Sequence, residues 1–361
     1  MNHDKSFFLS AYTCDGKTSF SDDIFTPFSD DRLFLVKGAS GKARSEFIKT
    51  TADIIQKEGF EYETILSDID GEKIEGVIFD EIGVYILDAC VAKGNGLRLY
   101  DCTQYIVNLG EICCRKELYE KREEIFSVWA EKEKYEQRCR KFLNACVSMQ
   151  EDTQRIVGKS LNAEKLEKYV TRFVKKEFGA VSEKPGKLSR RFVGTLSPDG
   201  INTQYDTIKN LCAHIFVLDD SFNIVCETLL NQIKDAAISC GYDVTVCCDF
   251  IDASKIRHLI IPQLSLCFFT SDYICKWEGE YTKKLNFTRF VDRETVKCHK
   301  NRIKFNADAI EELVCQASVN LEMVKCDVDR LDDIYENYCD NGKLTEIVEK
   351  TADEILSVFK A

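Results

Sequence analysis

Lys37-Gly38-Ala39-Ser40-Gly41-Lys42-Ala43-Arg44-Ser45-Glu46 is the stretch on which the reading of the fold turns. Residues 33–37 before it form an apolar run of strand length. After it, Phe47, Ile48, Thr51, Ile54 and Ile55 fall on one stripe at helical spacing, and Gly59 ends the helix. A glycine- and serine-containing turn between a buried strand and a helix is the setting of the phosphate-binding pattern G-x-x-x-x-G-K-[ST]. There the backbone N–H groups wrap phosphates, the lysine reaches the β- and γ-phosphates, and the hydroxyl holds Mg²⁺. Gly38 starts that pattern and Ser45 ends it. Ala43 stands at the second glycine, adding a Cβ where the backbone must approach phosphate closely. Arg44 stands at the lysine, keeping the charge in a longer, planar form. Lys42, one position early, offers charge from another direction. A turn of this kind also serves as a plain connection.

Outward from this loop the chain repeats. Residues 8–16 align with residues 192–200 at a shift of 184, and after a two-residue gap the register settles at 182. Leu33-Phe34-Leu35-Val36 then meets Ile215-Phe216-Val217-Leu218, Gly59 meets Gly241, Asp70 meets Asp252, and Ile74 meets Ile256. One register held over more than fifty positions requires matched loop lengths, which points to a duplicated unit. Strands are predicted near 61–66, 76–79 and 83–87, and again at 215–218, 243–248, 257–261 and 264–269, with a helix over 223–239. Strand, helix and buried runs together predict parallel sheets with crossover helices. From about 115 to 178 and from about 306 to 360 the chain turns charged and helical, which predicts a helical hairpin on each half. The segment AVSEKPGKLSRR lacks periodicity. The expected organisation is a first domain over 1–180, a linker over 181–191 and a second domain over 192–361, each domain three-layered.

Composition sets limits. At about 150 residues per domain, 361 residues fit two domains. Hydrophobic residues at 44% and charged residues at 30% describe a globular, soluble chain. No apolar run approaches the roughly 18 residues of a membrane span, and the first twenty residues do not read as a signal peptide. A cytoplasmic protein without membrane contact is expected. The 49 basic and 61 acidic residues leave a net charge of −12, which argues against nucleic acid. The basic cluster Lys283, Lys284, Arg289, Arg293 and Lys297, interleaved with Phe287 and Phe290, reads as local surface. The alternating charges of residues 131–136 read as a solvated helix face, with a partner-binding arm as the alternative. Eighteen cysteines and four histidines show no zinc, haem or iron–sulfur spacing, so most of the cysteines read as small apolar core residues. Cys113–Cys114 and Cys247–Cys248 are adjacent pairs, a poor geometry for an ordinary disulfide.

The run Gly83-Val84-Tyr85-Ile86-Leu87-Asp88 is a short apolar strand ending in an acid, where phosphate-loop proteins place the residue that organises Mg²⁺. In the second half, residues 218–228 replace the loop with a stretch that has no glycine or lysine and carries Asp219 and Asp220. Thr270 matches Asp88, and Cys226 matches Arg44. With Lys37, Gly38, Gly41 and Ser45 in place, Ile74-Glu75-Gly76-Val77 and Ile86-Leu87-Asp88 downstream, and Ser197-Pro198-Asp199-Gly200 opening the second half, the chain resembles an uncharacterised bacterial family of tandem P-loop ATPase-like proteins. The resemblance covers nearly the whole chain, with Ala43, Arg44 and Glu46 as departures. It implies an α/β fold of two P-loop NTPase-like domains and ATP with Mg²⁺ as the ligand. Lys37, Gly38, Gly41, Lys42, Arg44, Ser45 and Glu46 would bind nucleotide, and Ser45 and Asp88 would hold Mg²⁺. Given the departures, the expected function is that of a pseudo-ATPase with weak or no nucleotide binding and little or no hydrolysis, acting through contacts with an unknown protein partner. An active ATPase or kinase using Arg44 or Lys42, and a purely structural scaffold, are the alternatives.

Overall fold

The computed structural model describes residues 5–25, 30–92, 102–220 and 225–357. His3 and residues 221–224, part of the segment read as a replaced loop, lie outside the described residues. The first run of elements is β1 (Ser6–Phe7), β2 (Ser10–Thr13), β3 (Gly16–Ser19), α1 (Ser21–Ile24), β4 (Arg32–Lys37), α2 (Gly41–Lys57), β5 (Glu63–Leu66), β6 (Ile74–Phe79), β7 (Val84–Asp88), β8 (Gln104–Asn108), α3 (Arg115–Glu120), α4 (Arg122–Gly158) and α5 (Ala163–Glu177). The second is β9 (Leu188–Arg191), β10 (Gly194–Ser197), β11 (Gly200–Thr203), α6 (Tyr205–Leu211), β12 (His214–Asp219), α7 (Val225–Ser239), β13 (Val244–Cys248), β14 (Ile256–Ile261), β15 (Leu266–Ser271), β16 (Lys283–Asn286), α8 (Arg293–Cys298), α9 (Lys300–Glu336) and α10 (Asn341–Ser357). The second run follows the order of the first element for element. Strand β9 occupies residues 188–191, inside the stretch read as a linker.

Two six-stranded sheets result, ordered β1-β5-β6-β7-β4-β8 and β9-β13-β14-β15-β12-β16. Both are mixed, which corrects the expectation of parallel sheets. β6 runs antiparallel to β5 and β7, and β14 antiparallel to β13 and β15. The reason is the length of the connection. Only the one-turn helix Asp80–Ile82 and Gly83, in a left-handed conformation, join β6 to β7, and a parallel crossover needs a dozen residues or more. The continuous apolar runs arise because both faces of each sheet are covered, whatever the strand direction.

The two halves share a core between their sheets. Along β4, Phe34 and Val36 point outward to a core with Phe47, Ile48 and Ile55 of α2, while Leu33 and Leu35 point inward. The inward face joins one shared core with Ile215, Val217, Cys267 and Phe269 of the second sheet. Each sheet therefore carries helices on its outer face. Its inner face joins the other half in a core that also takes in Ile24 of α1 and Tyr205, Ile208 and Leu211 of α6.

Nor do the helices form a hairpin on each half. The two 37-residue helices α4 and α9 pack antiparallel against each other. Glu131 pairs with Arg330 at one end, and Asp152 pairs with Arg302 at the other. Leu143, Cys146, Val314, Ala317 and Leu321 fill the seam. The helix after each long one crosses over: Leu166, Val170 and Phe173 of α5 cover the second sheet beside α7, and Leu344, Val348 and Ile355 of α10 cover the first beside α2. Both long helices are apolar along one stripe only, and that stripe finds its complement on the other half. Among the described residues, no helix is long and apolar enough to cross a membrane.

Candidate functional site

The turn from β4 to α2 is tight. Gly38 (φ 84°) and Ala39 (φ 52°) are both left-handed. A Cβ on Gly38 would lie 2.3 Å from the Gly110 nitrogen, so only glycine fits there. Ser40 caps α2, its hydroxyl accepting the Ala43 N–H at 3.0 Å. β7 lies directly beside β4 with Val36 opposite Asp88, so the carboxylate at the end of β7 meets the loop after β4.

A cavity of about 740 Å³ opens over this turn. Its walls come from the turn, the β2–β3 hairpin, the segment before β6, and the facing sides of α4 and α9. Of the residues singled out from sequence, Gly41, Arg44, Ser45 and Asp88 line it. Lys37, Lys42 and Glu46 are exposed and outside it.

Each of the four lining residues is engaged within the protein. Arg44 turns back: Nε donates to Asp88 Oδ2 at 2.7 Å, and Nη1 donates to the carbonyls of Gly38 and Ala39 at 3.2 and 2.9 Å. Asp88 Oδ1 also accepts the Cys90 N–H at 2.8 Å. Ser45 Oγ accepts the Ile74 N–H at 2.8 Å. The Gly41 N–H, at the start of α2, donates to Asp332 Oδ1 of α9 at 2.7 Å. Asp332 Oδ2 in turn pairs with Lys73 at 3.1 Å, and Glu336, one turn further along α9, holds Lys42 at 3.0 Å. The hydroxyl and carboxylate expected to organise Mg²⁺ thus have other partners as arranged. Among the described residues, no group of three or more His, Cys, Asp or Glu side chains could hold a metal ion.

The deeper wall is a charge network. Lys17 pairs with the fully buried Asp68 at 2.9 Å and lies 4.0 Å from Glu75. Burial pushes the Glu75 carboxyl up to about 7; Lys17 opposes the shift, and Asp68 and Asp88 add to it. On the helical side, Glu136 receives the Tyr12 hydroxyl and the Lys132 ammonium, and Trp129 and Tyr335 supply aromatic surface. Residues 131–136 are therefore no simple solvated face: Glu131 pairs with α9, and Lys132, Glu133 and Glu136 line the cavity.

In the second half, the Asp220 carboxylate accepts the Val225 and Cys226 N–H groups at 2.9 and 3.0 Å, capping α7 from within. Arg257, which holds on β14 the place of Glu75 on β6, is buried between Asp249 at 2.7 Å and Asp272 at 2.8 Å. Of the basic cluster read from sequence, Lys284 pairs with Asp219, and Phe287 and Phe290 belong to the outer core.

Asp332, Glu336, Lys73 and Trp129 escaped the sequence reading. Asp332 is 291 residues from Gly41, and no local pattern marks a carboxylate that α9 will lay across a distant helix start. No protein-family model, curated protein or solved structure matches this chain.

Proposed function

We propose that the chain is a degenerate tandem P-loop NTPase-fold protein whose remaining phosphate site is filled by its own side chains, and that it works through protein contacts without turning over nucleotide. The observation that carries this reading is the Asp332 carboxylate on the Gly41 N–H. A helix start with free N–H groups and its dipole favours an anion, and an internal carboxylate there takes the place of a phosphate. A polyphosphate entering the cavity would meet the carboxylates of Asp332 and Asp88 at the turn, where Lys73 and Arg44 are already paired with them. Asp220 at the start of α7 supports the same reading for the second half. The contact surface we assign to partners is the start of the long-helix arm, where Tyr119 and Phe126 are about two-thirds exposed.

Calorimetric titration of Mg·ATP into the native protein and into Arg44→Ala tests this. Absence of heat and of phosphate release in both is the expected result. Turnover in the native protein that Arg44→Ala abolishes would establish the active-enzyme alternative and overturn the proposal.

A further inference from the structure

Cys113 and Cys339 face each other across an isolated antiparallel bridge, their sulfurs 2.6 Å apart. The Cys114 N–H donates to the Tyr338 carbonyl, and the Asp340 N–H donates to the Ile112 carbonyl. The cysteines are thus the non-hydrogen-bonded pair between two backbone bonds, the position at which facing side chains lie closest. Their sulfurs are already near the roughly 2.05 Å of a disulfide.

The other half contains the same bridge with different side chains. Leu161 faces Val291, with the Asn162 N–H donating to the Phe290 carbonyl and the Asp292 N–H to the Ser160 carbonyl. An apolar pair serves the bridge there. The backbone arrangement therefore has no need of thiols, and the paired cysteines add a chemistry that the twin bridge lacks.

We propose that Cys113 and Cys339 are a covalent modification site, forming a reversible intramolecular disulfide by exchange with a low-molecular-weight disulfide. The Cys113 thiol loses its proton, and its sulfur attacks one sulfur of the small disulfide, breaking that S–S bond and releasing one small thiolate. Cys339 loses its proton and attacks the Cys113 sulfur of the mixed disulfide, releasing the second small thiolate. The protein gives up two protons and two electrons, and the small disulfide is reduced to two thiols. Burial and the facing sulfur push the Cys339 thiol up to about 12. Both side chains are half-buried.

The bond would join the two sides of the candidate site. Cys113 follows the one-turn helix Leu109–Ile112, whose Gly110 backs Gly38. Cys339 follows the end of α9, which lays Asp332 on Gly41 and Glu336 on Lys42. Oxidation would fix α9 and the start of α10 to the wall behind the β4–α2 turn.

The test uses the full chain, reduced and then equilibrated with oxidised glutathione, alkylated and mapped by peptide mass spectrometry. The expected result is a Cys113–Cys339 linked peptide, two hydrogens lighter than its parts, that disappears on reduction. Cys339→Ser should retain glutathione on Cys113, because the second attack is gone. Cys113→Val with Cys339→Leu copies the twin bridge; it should keep the native circular dichroism and lose the rise in melting temperature that oxidation gives the native chain. Alkylation of Cys113 and Cys339 to the same extent as the exposed Cys114, or a linkage from Cys113 to any other cysteine, would overturn the proposal.

Discussion

The carboxylate of Asp332 and the first N–H of α2, that of Gly41, form a 2.7 Å hydrogen bond between residues 291 positions apart. Asp332 is buried, and Lys73 balances its second oxygen, so the helix start is neutralised from inside the protein. Asp332→Ala removes a charge-assisted bond at a helix N-terminus and is expected to lower unfolding free energy by about 1–3 kcal/mol, read by urea denaturation. It should also let inorganic phosphate bind in calorimetry, where the native protein gives no heat. Asp332→Asn keeps an acceptor without the charge and should lose less.

Arg44 and Asp88 are a mostly buried pair at 2.7 Å. Arg44→Ala leaves the carboxylate with the Cys90 N–H and no cation, and the expected loss is about 3–5 kcal/mol, the range for a broken buried pair. Arg44→Lys keeps the charge and forfeits the fork that reaches the Gly38 and Ala39 carbonyls, so it should fall between. Denaturation midpoints of the three proteins check the order. Equal stability of the Arg44→Lys and Arg44→Ala variants would show that the charge pair contributes nothing.

Glu75 gives the fold a pH dependence with a definite sign. Its carboxyl is raised from about 4.5 to about 7, so between those values the folded chain holds a proton that the unfolded chain has released. Stability from this group is therefore lost as pH rises from about 4.5 through about 7, and is flat above. The groups facing it are Lys17, Asp68, Asp88, Ser67 and Ser10. Glu75→Gln should remove that slope and exceed the native melting temperature at about pH 8, above the folded-state value. A native and variant pair with parallel profiles across this window would refute the assignment.

Gly38 and Ala39 are adjacent left-handed residues with opposite expectations. Gly38→Ala puts a Cβ against the Gly110 backbone in a conformation that alanine resists, and should lose more than about 2 kcal/mol. Ala39→Gly relieves backbone strain while raising the entropy of the unfolded chain, and should stay within about 1 kcal/mol of native. Thermal denaturation of both distinguishes a strained turn from an unconstrained one.

Local patterns were good guides to local structure. The apolar run at 33–37 and the stripe from Phe47 to Ile55 are β4 and α2, and the runs at 76–79 and 83–87 lie in β6 and β7. Strand direction is not legible in the pattern because Ile74 to Leu87 is apolar enough to be buried on both faces in either pairing; the short turn at Asp80–Gly83 is the signal for a hairpin. The loop was legible as a loop, and Gly41, Arg44, Ser45 and Asp88 do meet at one cavity. Their partners were not legible. Asp332 reads as one acid among many on a charged helix, and only the packing of α9 on α4 decides where it lands. In sequence Cys113 stands out only beside Cys114, in a poor geometry for a disulfide, whereas the fold sets it against Cys339.

The exchange of outer helices sets an order of events during synthesis. The outer core of the first sheet, with Phe34, Val36 and Val77 under α2, is completed by Leu344, Val348 and Ile355 of α10. A nascent chain that has completed β1 to β8 can lay α2 on that face, but the apolar surface beside α2 stays open until the whole second half and α10 have left the ribosome. The half made first is the half finished last, and premature termination anywhere in α9 leaves the apolar side of α2 that α10 covers open to aggregation.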